Sequence, residues 1–93
     1  METFYYISLN FISAAGLETF GKFNLGTDVD MATEIFGKLK GDDHVSETTK
    51  LTMDLTEETD GIPLTIALVH CTLEELSVNT KTITKELFKL LHL

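Results

Sequence analysis

Cys71 is the only thiol in this chain and His70 stands directly before it. A thiolate nucleophile needs a base within hydrogen-bond reach. Adjacent residues on an extended strand point to opposite faces, so these two do not act on each other. Cys71 also precedes Thr72-Leu73-Glu74-Glu75, which has the spacing of a capping box. A helix N-terminus in that place would lower the thiol pKa and make it reactive. The plainer reading is a small hydrophobe packed at a strand end, because free cysteine is among the most often buried residue types. His70 reads in the same way as a hydrogen-bonded histidine at the end of a sheet.

Asp42, Asp43, His44 and Glu47 bring carboxylates and an imidazole into one segment, but their spacing fits no compact metal site and suits a solvated connection. Glu57-Glu58-Thr59-Asp60 lacks the alternating oxygen ligands of a calcium loop and reads as a hairpin turn. Glu74 and Glu75 belong to the helix start. No glycine-rich phosphate loop, nucleophile elbow or cysteine pair occurs. The expectation is therefore no cofactor, no metal and no catalytic set.

The elements that would position these residues follow from periodicity. Thr3 to Ile12 alternates, with Tyr5, Ile7, Leu9 and Phe11 on one side and Tyr6, Ser8 and Asn10 on the other. A turn at Ser13-Ala14-Ala15-Gly16 leads to a second strand, Leu17 to Leu25, with a bulge at Gly21. Thr27 suits an N-cap, and Val29, Ala32, Ile35, Phe36 and Leu39 recur at helical spacing before Gly41. After a polar connection, Lys50 to Thr56 alternates with Leu51, Met53 and Leu55 facing one way. A turn at residues 57–61 precedes a strand from Ile62 to Cys71, whose inner side is assigned to Ile62, Leu64, Ile66 and Leu68. A last helix carries Leu76, Ile83, Leu87 and Leu90 on one stripe; it runs from Thr72 or, if its β-branched middle breaks, from an Asn79 cap.

The fold class expected is α+β: a two-layer sandwich in the order β-β-α-β-β-α, its four-stranded, mostly antiparallel sheet carrying both helices on one face. One domain spans residues 1–93. Ile7-Ser8-Leu9-Asn10-Phe11 matches Leu51-Thr52-Met53-Asp54-Leu55 in pattern, as Glu34-Ile35-Phe36 matches Glu86-Leu87-Phe88, so halves 1–41 and 50–93 are candidates for a duplicated β-β-α unit. Leu9, Phe23, Ile35, Leu39, Met53, Leu64, Ile66, Leu68 and Leu87 are the expected core.

Charge narrows the partners. Fifteen acidic residues face seven basic ones, all lysine, for a net charge of -8. Without arginine and with that sign, nucleic acid and anionic membranes are poor partners. A lone cysteine favours a reducing compartment, and the cytoplasm is the expected location. The uncovered sheet face is expected to carry Tyr6, Phe20, Ala67, Val69 and Cys71, too apolar for a solvated surface, which points to a binding site. The leading function is a small non-catalytic protein-interaction module that meets itself as a homodimer, or another protein, through that face. The alternatives are a small-molecule-binding protein or enzyme with Cys71, His70 and Tyr6 at a dimer cleft, and an acidic inhibitor of a basic protein.

Overall fold

The computed structural model describes residues 2–44 and 50–90. Strands β1 (Thr3–Ser13) and β2 (Gly16–Gly26) form the first hairpin, followed by helix α1 (Val29–Gly37). Strands β3 (Leu51–Thr59) and β4 (Ile62–Cys71) form the second, followed by helix α2 (Leu73–Leu90). The four strands make one open antiparallel sheet in the order β2-β1-β3-β4. Residues of α1 (Ala32, Ile35, Phe36) and of α2 (Ile83) share a single apolar core with Tyr5, Ile7, Leu9, Met53 and Leu55, so both helices cover the same side of the sheet. This is the expected ββαββα sandwich.

Local chemistry sets the boundaries. Asp28, not Thr27, caps α1: its Oδ1 accepts from the backbone of Asp30 and Met31 at 3.0 and 3.2 Å. The second hairpin turns on Asp60 and Gly61 alone, at φ of 52° and 81°. Positive φ at both central residues matches the twist of the flanking strands, which lets β3 extend to Thr59, through residues expected in the turn. At the start of α2 the capping box is complete, Thr72 Oγ1 accepting from Glu75 N–H and Glu75 Oε1 from Thr72 N–H. The helix does not break at its polar middle. Thr80, Thr82 and Thr84 each donate a hydroxyl to a carbonyl three or four residues back, so their polar groups are satisfied within the helix.

The phase of β4 is the main correction. Its register with β3 slips between Leu55 and Thr56: Leu55 faces Ala67, Thr56 faces Thr65, and Ile66 is the extra residue. Such a bulge switches the alternation. Ala67, Val69 and Cys71, opposite Leu55, Met53 and Leu51, therefore enter the helix-covered layer. Ile62 and Leu64 stay on that side but at its uncovered end, 72% and 58% exposed, while Ile66 and Leu68 turn to the other face at 42% and 43%. Of the expected core, Leu9, Ile35 and Met53 are buried, and Phe23, Leu39 and Leu87 pack partly buried against it. Leu64, Ile66 and Leu68 do not.

The chain leaving α1 is tied to the second half of the molecule. Asn79, wholly buried on α2, accepts from Lys40 N–H and donates to the Lys40 carbonyl, both at 2.8 Å. Asp42 and His70 then exchange both backbone hydrogen bonds at 2.8 Å, which adds a short bridge to the outer edge of β4. Gly41 lies between these contacts. A Cβ there would meet the His70 carbonyl oxygen at 2.7 Å and Val69 Cβ at 3.1 Å. The backbone can pass only without a side chain.

Ile83→Ala empties a fully buried position and is expected to cost about 2–5 kcal/mol, whereas Ile66→Ala costs less than about 1 kcal/mol; urea midpoints separate them. Gly41→Ala is expected to cost about 1–3 kcal/mol by overpacking, while Gly37→Ala, where a Cβ meets nothing within 4 Å, leaves the midpoint unchanged or raises it.

Candidate functional site on the open sheet face

The face away from the helices carries rows of side chains fixed by strand register. One row runs Thr19, Asn10, Thr52, His70 and the next Lys22, Ser8, Asp54, Leu68. Cross-strand neighbours on one face stand close enough to bond. Thr19 Oγ1 donates to Asn10 Oδ1 at 2.6 Å, and Asn10 Nδ2 donates to Thr52 Oγ1 at 3.2 Å. Ser8, Asn10, Thr52 and Thr56 are all buried. The centre of this face is therefore polar and well packed.

Asp54 sits within that network. Burial pushes its carboxyl pKa above the usual range, opposed by hydrogen bonding from Asn10 and Thr52 and by the nearby His70. Among the described residues, Asp54 Oδ1 and His70 Nδ1 are buried atoms without a hydrogen-bond partner. Ser8, Asp54 and His70 are the residue types of a hydrolytic triad, but the order is wrong. Ser8 registers with Asp54, and β3 separates it from His70 on β4, two strand spacings or about 10 Å apart. Among the described residues no group of three His, Cys, Asp or Glu could hold a metal ion. The network holds a carboxylate in place without bringing a nucleophile to it.

An apolar rim surrounds this centre. Phe4, Ile66 and Leu68 are exposed. Tyr6 lies between, its hydroxyl donating to Glu58 at 3.4 Å and the Lys22 ammonium standing 4.5 Å from its ring centre.

The five residues expected to meet on this face do not. Tyr6 is on it, but only 6% exposed. Phe20 is the bulged residue of β2 and packs against Phe11 at 5.7 Å; Phe11 pairs with Leu51 on the helix side. Ala67, Val69 and Cys71 lie under the helices, as the register slip requires. The Cys71 thiol is buried against Asn79 and the Lys40 carbonyl, and burial pushes its pKa up to about 11, the reverse of activation by a helix start. Glu47, of the acidic segment, lies outside the described residues. In place of the expected set, the face presents Ile66 and Leu68 beside Asp54. Their signal is weak in the sequence, because Ile62 to Val69 is apolar at nearly every position and either parity would fit.

The raised carboxyl pKa has a signed consequence. The folded chain holds the Asp54 proton more tightly than the unfolded chain, so ionisation weakens the fold. That penalty is absent below the ordinary carboxylate range and complete above the raised pKa. Asp54→Asn is expected to raise the urea midpoint at neutral pH, and the gain should vanish in acid. A midpoint lowered equally at both would contradict the assignment. The site stands on this geometry alone: no family model matches the chain, and neither a curated protein nor a solved structure does.

Proposed function

We propose that this chain is a non-catalytic protein-interaction module that receives a protein partner along β4, the apolar edge of the sheet. The observation that carries this reading is the exposure of Ile62, Leu64, Ile66 and Leu68 on one edge strand that has no carboxylate or lysine in its ten residues. Natural edge strands are normally blunted by charge, proline, a bulge or a covering segment; β4 has Pro63, the Ile66 bulge and the Asp42 bridge but no charge, and contiguous apolar exposure favours a docking role. The other edge strand, β2, carries Glu18 and Lys22. The position of the grooves also supports binding over catalysis. Grooves lie on α2, between the helices, beside the β3–β4 hairpin and beside Thr27, each lined by residues other than Asp54 and His70.

A photo-cross-linking residue placed at Leu68, with another at exposed Val78 on α2 as control, tests the reading in the native cells. The expected outcome is a protein adduct at Leu68 and none at Val78. Absence of any protein adduct at Leu68 would overturn it.

A further inference from the structure

We infer that the partner on β4 is a second copy of this chain, joined by antiparallel pairing of the two β4 strands about a two-fold axis into one eight-stranded sheet. This rests on the docking role proposed for β4 and names its occupant.

Charge selects the occupant first. Two chains of net charge -8 repel each other wherever carboxylates face. β2 and β3 both contain carboxylates, β1 is interior, and β4 has none, so β4 is the strand along which like copies can approach. The nearest flank of α2 has the complementary feature. Glu86 joins Lys38 of α1, which fixes the side of α2 that faces α1. Thr80, Thr84 and Phe88 line an open groove of about 550 Å³ bordered by Lys81 and Lys85, and Lys89 at its end turns back to Glu86 and the groove between the helices. Two of the seven basic residues, Lys81 and Lys85, thus border the rim where two acidic chains would meet.

Backbone geometry then fixes the register. His70 spends its N–H and C=O on Asp42, so both point to the outer edge. By alternation Leu68 points outward too, and the bulge returns Thr65 and Pro63 to that orientation. A proline on an outward edge position loses no bond within its own sheet but gives none to a partner, so each Pro63–Leu68 pair would be held by one bond, from the Leu68 N–H to the partner's Pro63 carbonyl. Paired residues of a continuous sheet must also share a face. Both conditions are met when the two-fold axis passes between Thr65 and Ile66. Pro63 then faces the partner's Leu68 on the open side, and Leu64 faces the partner's Ala67 and Ile62 the partner's Val69 on the helix side. Pairing stops there because Asp42 already occupies the edge at His70.

The area suits a dimer of moderate strength. At roughly 60–120 Å² for one aliphatic side chain, Ile62, Leu64, Ile66, Leu68 and Phe88 leave on the order of 200–300 Å² of apolar surface open per copy. That is about half the apolar share of a standard interface of ~800 Å² per partner, and the strand backbone with Thr80 and Thr84 adds to it.

Light scattering of the full chain at tens of micromolar should give twice the 10.4 kDa chain mass, and Leu68→Lys should return it to the single mass with unchanged circular dichroism. The register has its own readout. Residues 63 and 68 are too far apart within one chain to bond, but in the pairing described each meets its counterpart at a Cα separation of about 5.5 Å, within disulfide range. The double variant Pro63→Cys, Leu68→Cys should form a covalent dimer on oxidation, and Val78→Cys should not; buried Cys71 stays silent in both. A single-chain mass throughout, a doubled mass indifferent to Leu68→Lys, or no covalent dimer from the double variant would each overturn the inference. Adducts at Leu68 to a different protein, alongside a single-chain mass, would overturn the second copy while leaving the docking role intact.

Discussion

Between Leu55 and Thr56 the β3–β4 ladder takes one extra residue on the β4 side, and the consequences reach both faces of the sheet. Beyond that point the alternation of β4 is inverted relative to its start. Cys71, Val69 and Ala67 become the floor under the helices, and Leu68 becomes an open-face residue beside Asp54. Without the slip, Ile62, Leu64, Ile66 and Leu68 would form a single stripe on one face. With it, the same four residues split between two faces and none is buried. A strand that shows apolar side chains on both faces has the character of an interior strand placed at an edge.

What could be read in advance follows the strength of each local signal. β1 alternates cleanly over ten residues, with Tyr5, Ile7 and Leu9 against Ser8 and Asn10, and its phase is as expected. The capping box at Thr72 and Glu75 is a specific short-range pattern and marks α2 correctly. β4 is different because Ile62-Pro63-Leu64-Thr65-Ile66-Ala67-Leu68-Val69 holds one polar residue in eight. Periodicity carries no parity in such a run, and a bulge without a glycine leaves no mark in composition. The binding set expected on the uncovered face depends on that parity, so Ala67, Val69 and Cys71 fall together on the helix side instead. Asn79 is a further case. It was considered as a helix cap, and instead its amide holds the Lys40 backbone across the core, a tertiary contact with no sequence signature.

β1 and β3 lie antiparallel at the centre of the sheet, with a hairpin strand outside each. Leu9 and Met53, which correspond in the match between the halves, face each other across the central pair. The helices differ. α1 has nine residues and packs against β1, β2 and β3, whereas α2 has 18 and keeps a long outward flank. The segment through Lys40, Gly41 and Asp42 fastens the end of α1 to α2 and to β4.

Strand order also carries a cost during synthesis. β1 has no charged residue from Thr3 to Ser13, and one of its two edges is closed by β2 across a tight turn. The other edge is closed only by β3, whose pairing runs from Phe11 with Leu51 to Thr3 with Thr59. A chain emerging from the ribosome therefore carries this uncharged strand half-paired until about residue 59 is free. Non-local pairing of this kind forms slowly, and an uncharged open edge is what nascent copies on neighbouring ribosomes would join. For this protein, the interval between the emergence of β1 and that of β3 is the period of greatest exposure to misassembly.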